Sequence, residues 1–486
     1  MRKILILLLI SGLFLACDLD TTPISSISVD SFWKTEDDAI AGMEGMYSRF
    51  RAITNSDYYA WGAGRSDEIG YGYEAATGFS FLFENLLSDV NSGPDWRVLY
   101  SVVNDANSVI SFVPDISFKS DAQKNNTLAQ AYAMRAFTYF ILARVWGDVP
   151  ISTEPVDKFS PSSSDSYKIR EDVGKVFTLI KEDIDKALEL FGDDDTYPAG
   201  RAYWSKPAVN ALKGDVYLWT GKLMDGGDAD IEIALQALQD IQETDVQLLP
   251  VYDNVFRQKG NREVLFAINY ALNEAGDNFA DMMYIRNEDI PLDAETVGKR
   301  LVGTGGGHSR WAPSQALRSE FTNDDLRKNI TFAELWVTRN GVRQLHTAVA
   351  LKYKGILYGN QRRFLDDVII YRYADVLLLI AEAKNALNQN PETEINAVRQ
   401  RAYGAKYNAY KFTSTTKEEN DKQILKERKL ELALEGKRWW DLIRFDKVFE
   451  MVPSMAGKTK DHFLFPLSTE TMTYNSKLEQ NKAYKK

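Results

Sequence analysis

The stretch ERKLELALEGKRWWDLIRF spans Glu427–Phe445 and combines evenly spaced acidic residues with two adjacent tryptophans. Glu427, Glu431 and Glu435 recur every four residues, so they are predicted to share one face of a helix. Gly436 follows the last of them and is predicted to end that helix, because glycine readily adopts the conformation that closes a helical turn. The stretch therefore predicts a strongly charged helix near the end of the chain.

The acidic residues of this helix are predicted to be structural and not catalytic. Hydrolysis of a glycoside requires two carboxyl groups about 5 to 9.5 Å apart, one of which stays protonated. Neighbouring arginines, Arg428 and Arg438, would instead hold the glutamates ionised. An ion-paired helix is therefore expected, and Trp439 and Trp440 are expected to pack it against the neighbouring lobe.

No other motif in the sequence points to catalysis. The three histidines, His308, His346 and His462, are far apart and lack the HExxH spacing of a zinc hydrolase. Neither a G-x-S-x-G elbow nor a Walker phosphate loop occurs, and GTGGGH at Gly303 lacks the last glycine of a dinucleotide-binding motif. The protein is therefore predicted not to be an enzyme, and no cofactor is expected. A structural calcium held by scattered carboxylates stays open, so the metal content is left unknown.

Helical periodicity extends through much of the rest of the chain. Three segments place small residues where two helices would approach closely, and each is followed by a second amphipathic helix. Such pairs resemble tetratricopeptide repeats, in which stacked pairs complete one another's core. With a fourth pair at the start, they predict a mainly α fold, an α/α superhelix of about four tetratricopeptide-like helix pairs; an irregular all-helical domain is the alternative. The pairs begin at Asp37 and Trp96, at Ala133 and Val173, at Ala208 and Asp230, and at Arg372 and Glu392.

Two stretches lack helical periodicity. Residues 55–94 are rich in glycine and tyrosine, and residues 248–311 contain a β-like segment, EVLFAINY, and a glycine cluster at 303–307. Long loops in a compact protein are usually functional or disordered, and aromatic content argues against disorder. These two insertions are predicted to form a loop-rich, partly β lobe that carries a binding surface.

The composition of the insertions predicts a glycan-binding site. Sugars present flat apolar faces and hydroxyl edges, so a receptor needs aromatic rings beside amide, carboxylate or guanidinium groups. Aromatic residues make up 12% of the chain, and several stand in the insertions beside such polar groups. The candidate residues are Tyr58, Trp61, Arg65, Asp67, Glu68, Tyr71 and Tyr73 in the first insertion and Tyr284, Arg286, Asn287, Arg310 and Trp311 in the second.

Whether these rings are exposed or buried distinguishes a ligand-binding function from a scaffold function. If Trp61 and Trp311 are exposed platforms, replacing either with alanine should weaken carbohydrate binding and leave thermal stability nearly unchanged. Rings buried against the helices would instead favour a helical-repeat scaffold or adaptor that holds a transporter complex, because solenoids commonly present concave protein-binding surfaces. A surface hydrolase is a third, weaker possibility that rests only on the abundance of carboxylates.

The N-terminal segment predicts export and lipidation. Two basic residues precede an apolar run at 4–15 that is too short to span a bilayer, as in a signal peptide. Cys17, the only cysteine, follows within LFLAC, which looks like a lipobox. A signal peptide is therefore predicted at 1–16 and a lipidated tether at 17–30, with the membrane contacted through lipid on Cys17.

The formal net charge of the chain is −11. A net negative charge repels phosphate backbones and anionic lipid surfaces. Nucleic acid is therefore not expected as a partner.

Five blocks of sequence carry a family resemblance. The stretch at 427–445 resembles the signature segment of the SusD/RagB family, the outer-membrane nutrient-binding lipoproteins of Bacteroidetes. Four further blocks resemble the same family and occur in the same order along the chain. They are FWKTEDDAIAGMEGMYSRF from Phe32, RAFTYFILARVWGDVPI from Arg135, YRYADVLLLIAEAKNAL from Tyr371 and FPLSTETMTYNSKLEQNKAY from Phe465.

The resemblance implies a function and a location. Proteins of this family bind oligosaccharide at the cell surface and cover a SusC-like TonB-dependent transporter, although some take peptide instead. By resemblance, the chain is expected to be lipid-anchored at the cell outer membrane, to face the exterior and to deliver glycan to such a transporter. It is expected to comprise an N-terminal helical-repeat region at 31–240 and a C-terminal SusD/RagB region at 241–486, which ends in closing helices.

Overall fold

The computed structural model describes residues 32–74, 80–156 and 167–485. The predicted signal peptide at 1–16, the tether at 17–30 and Cys17 lie outside the described residues. Within the described ranges, no helix has the length and the hydropathy needed to cross a membrane.

Helices form most of the regular structure. The helices that build the scaffold are α1 (Glu36–Ile53), α2 (Asp57–Gly62), α3 (Arg97–Phe112), α4 (Asp121–Trp146), α5 (Val173–Phe191), α6 (Lys206–Leu223), α7 (Gly227–Asp240), α8 (Tyr373–Ala386), α9 (Glu392–Tyr403), α10 (Lys417–Glu431) and α11 (Arg438–Arg444). Shorter helices are Ser80–Phe83, Asn254–Arg257, Thr296–Val302, Gln315–Arg318, Lys328–Thr331, Val448–Met451 and Thr469–Tyr474.

The long helices pack in pairs, and the pairs stack. Helix α1 packs on α3, α4 on α5, α6 on α7, and α8 on α9. Each pair contacts the next through α3 with α4, α5 with α6, and α7 with α8. Helix α4 is buried on almost all sides from Thr127 to Trp146, as its uniformly apolar sequence requires. The predicted mainly α superhelix of four helix pairs is therefore confirmed.

Small residues explain how closely the helices approach. A Cβ added to Gly214 of α6 would lie 2.4 Å from a carbon of Leu238 in α7, so any side chain there would force the two helices apart.

The first helix starts with a capping box, in which Thr35 and Asp38 satisfy each other's backbone N–H groups. Local sequence thus specifies both the start of the stack and the contact within its third pair.

The β structure consists of short antiparallel pairs inserted between the helices. The strand Val264–Ile268, predicted from EVLFAINY, is confirmed, but strands continue well past residue 311, and the long hairpin at 332–350 was not predicted from the sequence. The pairs are β1 (Ile69–Tyr71) with β3 (Trp311–Pro313), β2 (Val264–Ile268) with β8 (Val368–Arg372), β4 (Phe332–Arg339) with β5 (Val342–Ala350), and β6 (Ile356–Tyr358) with β7 (Gln361–Arg363).

The stretch at 427–445 is two helices and not one. Helix α10 ends at Glu431, and α11 begins at Arg438. Between them, Leu434 and Gly436 have positive φ angles of 64° and 73°, so the chain turns sharply there. The prediction that Glu435 continues the face of the helix was therefore wrong, because it lies in the turn.

This turn lies against the first insertion. A Cβ added to Gly62, at the end of α2, would come within 1.8 Å of the Gly436 carbonyl oxygen, so the two backbones touch. The positive φ of Gly436 is disfavoured for residues with a side chain. Glycine at positions 62 and 436 therefore allows the turn and the end of α2 to pack backbone against backbone.

Candidate ligand-binding site

The glutamates of the 427–445 stretch belong to a buried ionic cluster beneath the insertions. At its centre, the fully buried guanidinium of Arg372 lies 2.9 Å from Glu263, 2.6 Å from Glu431 and 2.7 Å from Glu435. Basic and acidic side chains are equal in number in this cluster. Its members are Arg327, Lys352, Arg372, Arg399 and Arg401 with Glu263, Asp325, Glu427, Glu431 and Glu435.

The electrostatics of the cluster confirm the predicted structural role of the glutamates. Burial alone would raise the pKa of Glu431, but the surrounding arginines, Arg401 foremost, hold it well below its usual range. The pKa of Glu435 is likewise lowered against burial, chiefly by Arg372. Both carboxylates are therefore ionised, and neither can act as the protonated acid that glycoside hydrolysis needs.

Two of the predicted ligand-binding residues, Asp67 and Arg65, are buried and contact distant parts of the chain. The carboxylate of Asp67 lies 2.8 Å from Arg438 and 2.9 Å from Lys429, which ties the first insertion to α10 and α11. The guanidinium of Arg65 donates a 2.9 Å hydrogen bond to the Phe463 carbonyl and is only 1% exposed. These two side chains therefore join distant parts of the chain and do not make the ligand contacts that were predicted for them.

Four of the predicted aromatic platforms are also buried. Trp61 packs edge-on against Trp146, and Trp311 stacks on Tyr59 at 5.9 Å between ring centres. Both tryptophans are at most 1% exposed, and Tyr58 and Tyr284 are at most 3% exposed. The expectation that Trp61 and Trp311 could be truncated without loss of stability was therefore wrong, because their rings are part of the core.

Glu68 is a buried carboxyl group without a basic partner among the described ion pairs. It accepts hydrogen bonds from the Leu434 backbone N–H and from the Tyr59 hydroxyl. Burial raises its pKa to about 7, even though the Leu434 N–H and the charges of Lys352 and Arg438 favour the ionised form. Its predicted contact with ligand is not possible in this structure, since it is 2% exposed.

The raised pKa of Glu68 predicts a pH dependence of stability. Between its ordinary value of 4.5 and its folded value of about 7, the folded state binds more protons than the unfolded state. The stabilisation is complete below the lower value and is lost as the pH rises through the upper one. Glu68→Gln cannot ionise and keeps an oxygen for Leu434, so at about pH 8.5 its Tm should exceed that of the wild type by about 2 °C or more. Calorimetry at about pH 5 should show a much smaller difference, and an equal difference at both pH values would contradict the assignment.

The exposed members of the predicted site lie at the junction of the two insertions. Tyr71 ends β1 and is 53% exposed, and Tyr73 follows two residues later and is 48% exposed. Tyr73 lies just beyond the end of β1, in a turn that precedes Glu74. The ring of Tyr71 lies edge-on to Phe83, with 4.9 Å between ring centres, and that of Tyr73 lies 4.4 Å from the ring of His346.

Backbone hydrogen bonds join the second insertion to this face. Gly72 N–H donates to the Arg310 carbonyl at 3.1 Å, and Glu74 N–H donates to the Ser309 carbonyl at 2.9 Å. Arg286 forms ion pairs with Glu74, and with Asp289 at 2.8 Å. Since Glu74 follows Tyr73, the structure places the predicted Arg286 beside the exposed tyrosines.

The remaining predicted polar residues lie along the same segment of the second insertion. Asn287 is exposed, and its side-chain oxygen accepts a hydrogen bond from Gly305 N–H at 3.2 Å. Arg310 is half-buried, with its backbone carbonyl bound to Gly72. Arg310 is therefore joined directly to the segment between the two tyrosines, and Asn287 is joined to the glycine cluster.

Sequence reasoning missed two aromatic members of this surface. Phe83 lies within residues 55–94 but its contact with Tyr71 has no local signature. His346 lies on β5, about 270 residues from Tyr73, and its Nε2 is 3.0 Å from the Asp289 carbonyl. Only the packing of the hairpin β4–β5 beside the junction brings His346 to this surface. We call Tyr71, Tyr73, Phe83, His346, Glu74 and Arg286 the tyrosine surface.

The tyrosine surface combines the groups that bind sugars. Exposed rings offer apolar faces, and the ion-paired Arg286 and Glu74 present both donors and acceptors beside them. Among the residues that the structure describes, no group of three or more His, Cys, Asp or Glu side chains is placed to hold a metal ion. A stack of helix pairs with an inserted lobe that carries such a surface is the architecture of a SusD-like protein.

Family comparisons agree with this architecture. Residues 352–484 match the family model described as the SusD family, and residues 77–218 match the one described as starch-binding associating with outer membrane. The chain is 30% identical to SusD-like protein P38 of Formosa agariphila over 99% of both chains. The chain therefore belongs to the SusD family.

Solved structures show the same fold. A SusD superfamily protein from Bacteroides vulgatus superposes with a TM-score of 0.84 at 29% identity, covering 93% of this chain and all of that one. NanU of B. fragilis superposes with a TM-score of 0.83 at 31% identity, covering 96% of this chain and all of that one. The helical scaffold and its inserted lobe are thus shared across nearly the full length.

Proposed function

We propose that the protein captures glycan on the tyrosine surface and delivers it to a SusC-like TonB-dependent transporter in the outer membrane. The observation that carries the proposal is the exposure of Tyr71 and Tyr73 at the end of β1, beside the ion-paired Arg286 and Glu74. Membership of a family with a starch-binding, outer-membrane description supports both the ligand class and the location.

The burial of the other rings narrows the proposed site. Of the six aromatic residues predicted from the sequence, Tyr58, Trp61, Tyr284 and Trp311 pack in the core, and two remain open to solvent. The two rings that stay exposed lie at the junction of the two insertions, beside the ion-paired Arg286 and Glu74. The exposed pair therefore favours ligand capture over the adaptor function.

Replacing both exposed tyrosines should abolish most of the glycan affinity. Tyr71→Ala/Tyr73→Ala removes two apolar ring faces, and the loss of contacts worth about 1.4 kcal/mol or more corresponds to at least a tenfold weaker Kd. Isothermal titration with the glycan that binds best in a panel of starch, laminarin, xylan and pectin measures the change. The Tm should stay near that of the wild type, because both side chains are half exposed.

Tyr358→Ala is the matched control for this experiment. Tyr358 is 61% exposed and lies at the end of β6, next to the turn of the β6–β7 hairpin. Its truncation should leave glycan affinity unchanged. Equal affinities of the double variant and this control would reject the tyrosine surface as the binding site.

Lipid attachment at Cys17 is the proposed means of staying at the membrane. The sequence before Cys17 has the features of an export signal, and the family description places related chains at the outer membrane. Cys17→Ala should move the protein from the membrane pellet to the soluble fraction after cell lysis. A variant that still sediments with outer membranes would show that another contact holds it there.

A further inference from the structure

A groove lies next to the tyrosine surface, on the other side of the helix Ser80–Phe83. Phe83 packs against Tyr71, whereas Phe81 lines the groove. Successive residues of a helix are about 100° apart, so side chains two positions apart point to nearly opposite sides. The same short helix therefore separates the tyrosine surface from the groove.

The groove has the size of a ligand site. Its volume is about 810 Å³, within the range of about 300–1,000 Å³ that is usual for small-molecule sites. It runs between the segment at 89–98 of the first insertion and the start of the helix Thr469–Tyr474. A sugar chain that leaves the tyrosine surface over this helix would enter it.

Contacts between distant parts of the chain hold the walls of the groove. Arg97 lies 2.7 Å from Asp95 and 2.7 Å from Glu470, which links the two walls. Thr469 N–H donates a 3.0 Å hydrogen bond to the Asp89 carbonyl. Contacts within the chain therefore hold the two walls together, so little ordering is needed when a ligand binds.

The lining of the groove defines the chemistry of its ligand. Among the described lining residues, the carboxylates of Asp57, Asp95 and Glu470 outnumber the guanidinium of Arg97, so an anionic ligand would be repelled. Ionised carboxylates only accept hydrogen bonds, and a ligand rich in hydroxyl groups supplies the matching donors. Phe81 adds an apolar ring and Asn91 an amide.

Asp57 is the carboxylate with most capacity left for a ligand. It accepts a 3.0 Å hydrogen bond from the Ser56 hydroxyl and forms no ion pair with any described residue. Burial, and to a lesser extent the charge of Asp95, raise its pKa to about 6, while Ser56 lowers it. A hydroxyl group that donated to Asp57 would relieve this cost of burying a charge.

We infer that this groove is a second carbohydrate subsite, which takes a neutral, hydroxyl-rich segment of the glycan chain whose other part lies on the tyrosine surface. The inference rests on the proposed function and deepens it, because it makes the preferred ligand a neutral chain long enough to cover both places. Short oligosaccharides reach only one of them.

Two groove variants test this inference in the full mature chain. Asn91→Trp fills the groove with a ring from an exposed position, and Asp57→Asn removes the acceptor charge while keeping its shape. Isothermal titration uses short and long members of the maltooligosaccharide and laminarioligosaccharide series, with polygalacturonate as the anionic probe. Both groove variants should weaken the binding of the long neutral chains about tenfold, which corresponds to the loss of one or two hydrogen bonds. The binding of the short chains should stay unchanged.

The outcomes separate this inference from the proposed function. If Tyr71→Ala/Tyr73→Ala weakens binding and the groove variants do not weaken that of long chains, the subsite is wrong and the proposed function stands. If polygalacturonate binds to the wild type and binds more weakly to the Asn91→Trp variant, the groove takes an anionic ligand. That result would overturn the assignment of a neutral ligand. If the wild type binds none of the polysaccharides, the proposed function fails and the subsite fails with it.

Discussion

Arg372→Met is expected to destabilise the protein by about 3–5 kcal/mol, the usual cost of removing one partner from a buried ion pair. The guanidinium of Arg372 is fully buried and is the common partner of Glu263, Glu431 and Glu435. Methionine fills a similar volume but leaves these buried carboxylates short of positive charge. Urea unfolding followed by circular dichroism should show a large fall in the midpoint, or a failure to accumulate folded protein.

Arg343→Met is the matched control for this change. Arg343 also pairs with a carboxylate, Glu295, but its side chain is 54% exposed and water can replace the partner. Exposed ion pairs contribute about 0–1 kcal/mol, so the midpoint should hardly move. Similar midpoints for the Arg372 and Arg343 variants would mean that the buried cluster contributes no more to stability than a surface pair.

Trp311→Ala should destabilise the protein by about 3–5 kcal/mol, the range measured for removing a large aromatic side chain from a core. Trp311 is 1% exposed, stacks on Tyr59 and lies on β3, which pairs with β1 of the other insertion. Its loss would leave a cavity at the junction of the two insertions. Glycan affinity would then fall through disorder of the tyrosine surface and not through a lost ligand contact.

Tyr71→Ala gives the sharpest comparison, because Tyr71 is the direct cross-strand partner of Trp311. Tyr71 is 53% exposed, so its truncation should change stability by no more than about 0.5 kcal/mol. The two variants should therefore separate: Trp311→Ala lowers the Tm strongly, and Tyr71→Ala lowers glycan affinity at an unchanged Tm. A stable Trp311 variant with weakened binding would restore the view of Trp311 as an exposed platform.

The helical scaffold could be predicted because its signals are local. Apolar residues at helical spacing define α1, α3, α5 and the other long helices, and small residues such as Gly214 mark where two helices touch. The strand β2 was also visible in EVLFAINY. The hairpin β4–β5 was missed, because its strands are partly exposed and their pattern of buried residues is irregular.

The candidate site could be predicted only in part. The sequence located the insertions and their residue types, and Tyr71, Tyr73 and Arg286 do lie together. It did not distinguish these tyrosines from Trp61 and Trp311, because an aromatic residue in a glycine-rich loop has the same composition whether it is buried or exposed. The position of Glu435 was also predicted wrongly, because it lies in the turn that contacts the first insertion and not on the helix.

The stack of helix pairs, the charged stretch at 427–445 and the family could all be predicted from local patterns, since each depends on the spacing of near neighbours in the chain. Which side chains meet solvent could not be predicted in this way. Exposure depends on contacts between residues hundreds of positions apart, such as Asp67 with Arg438 and Tyr73 with His346. For that reason, Trp311 is part of the core and its cross-strand partner Tyr71 remains available to a ligand.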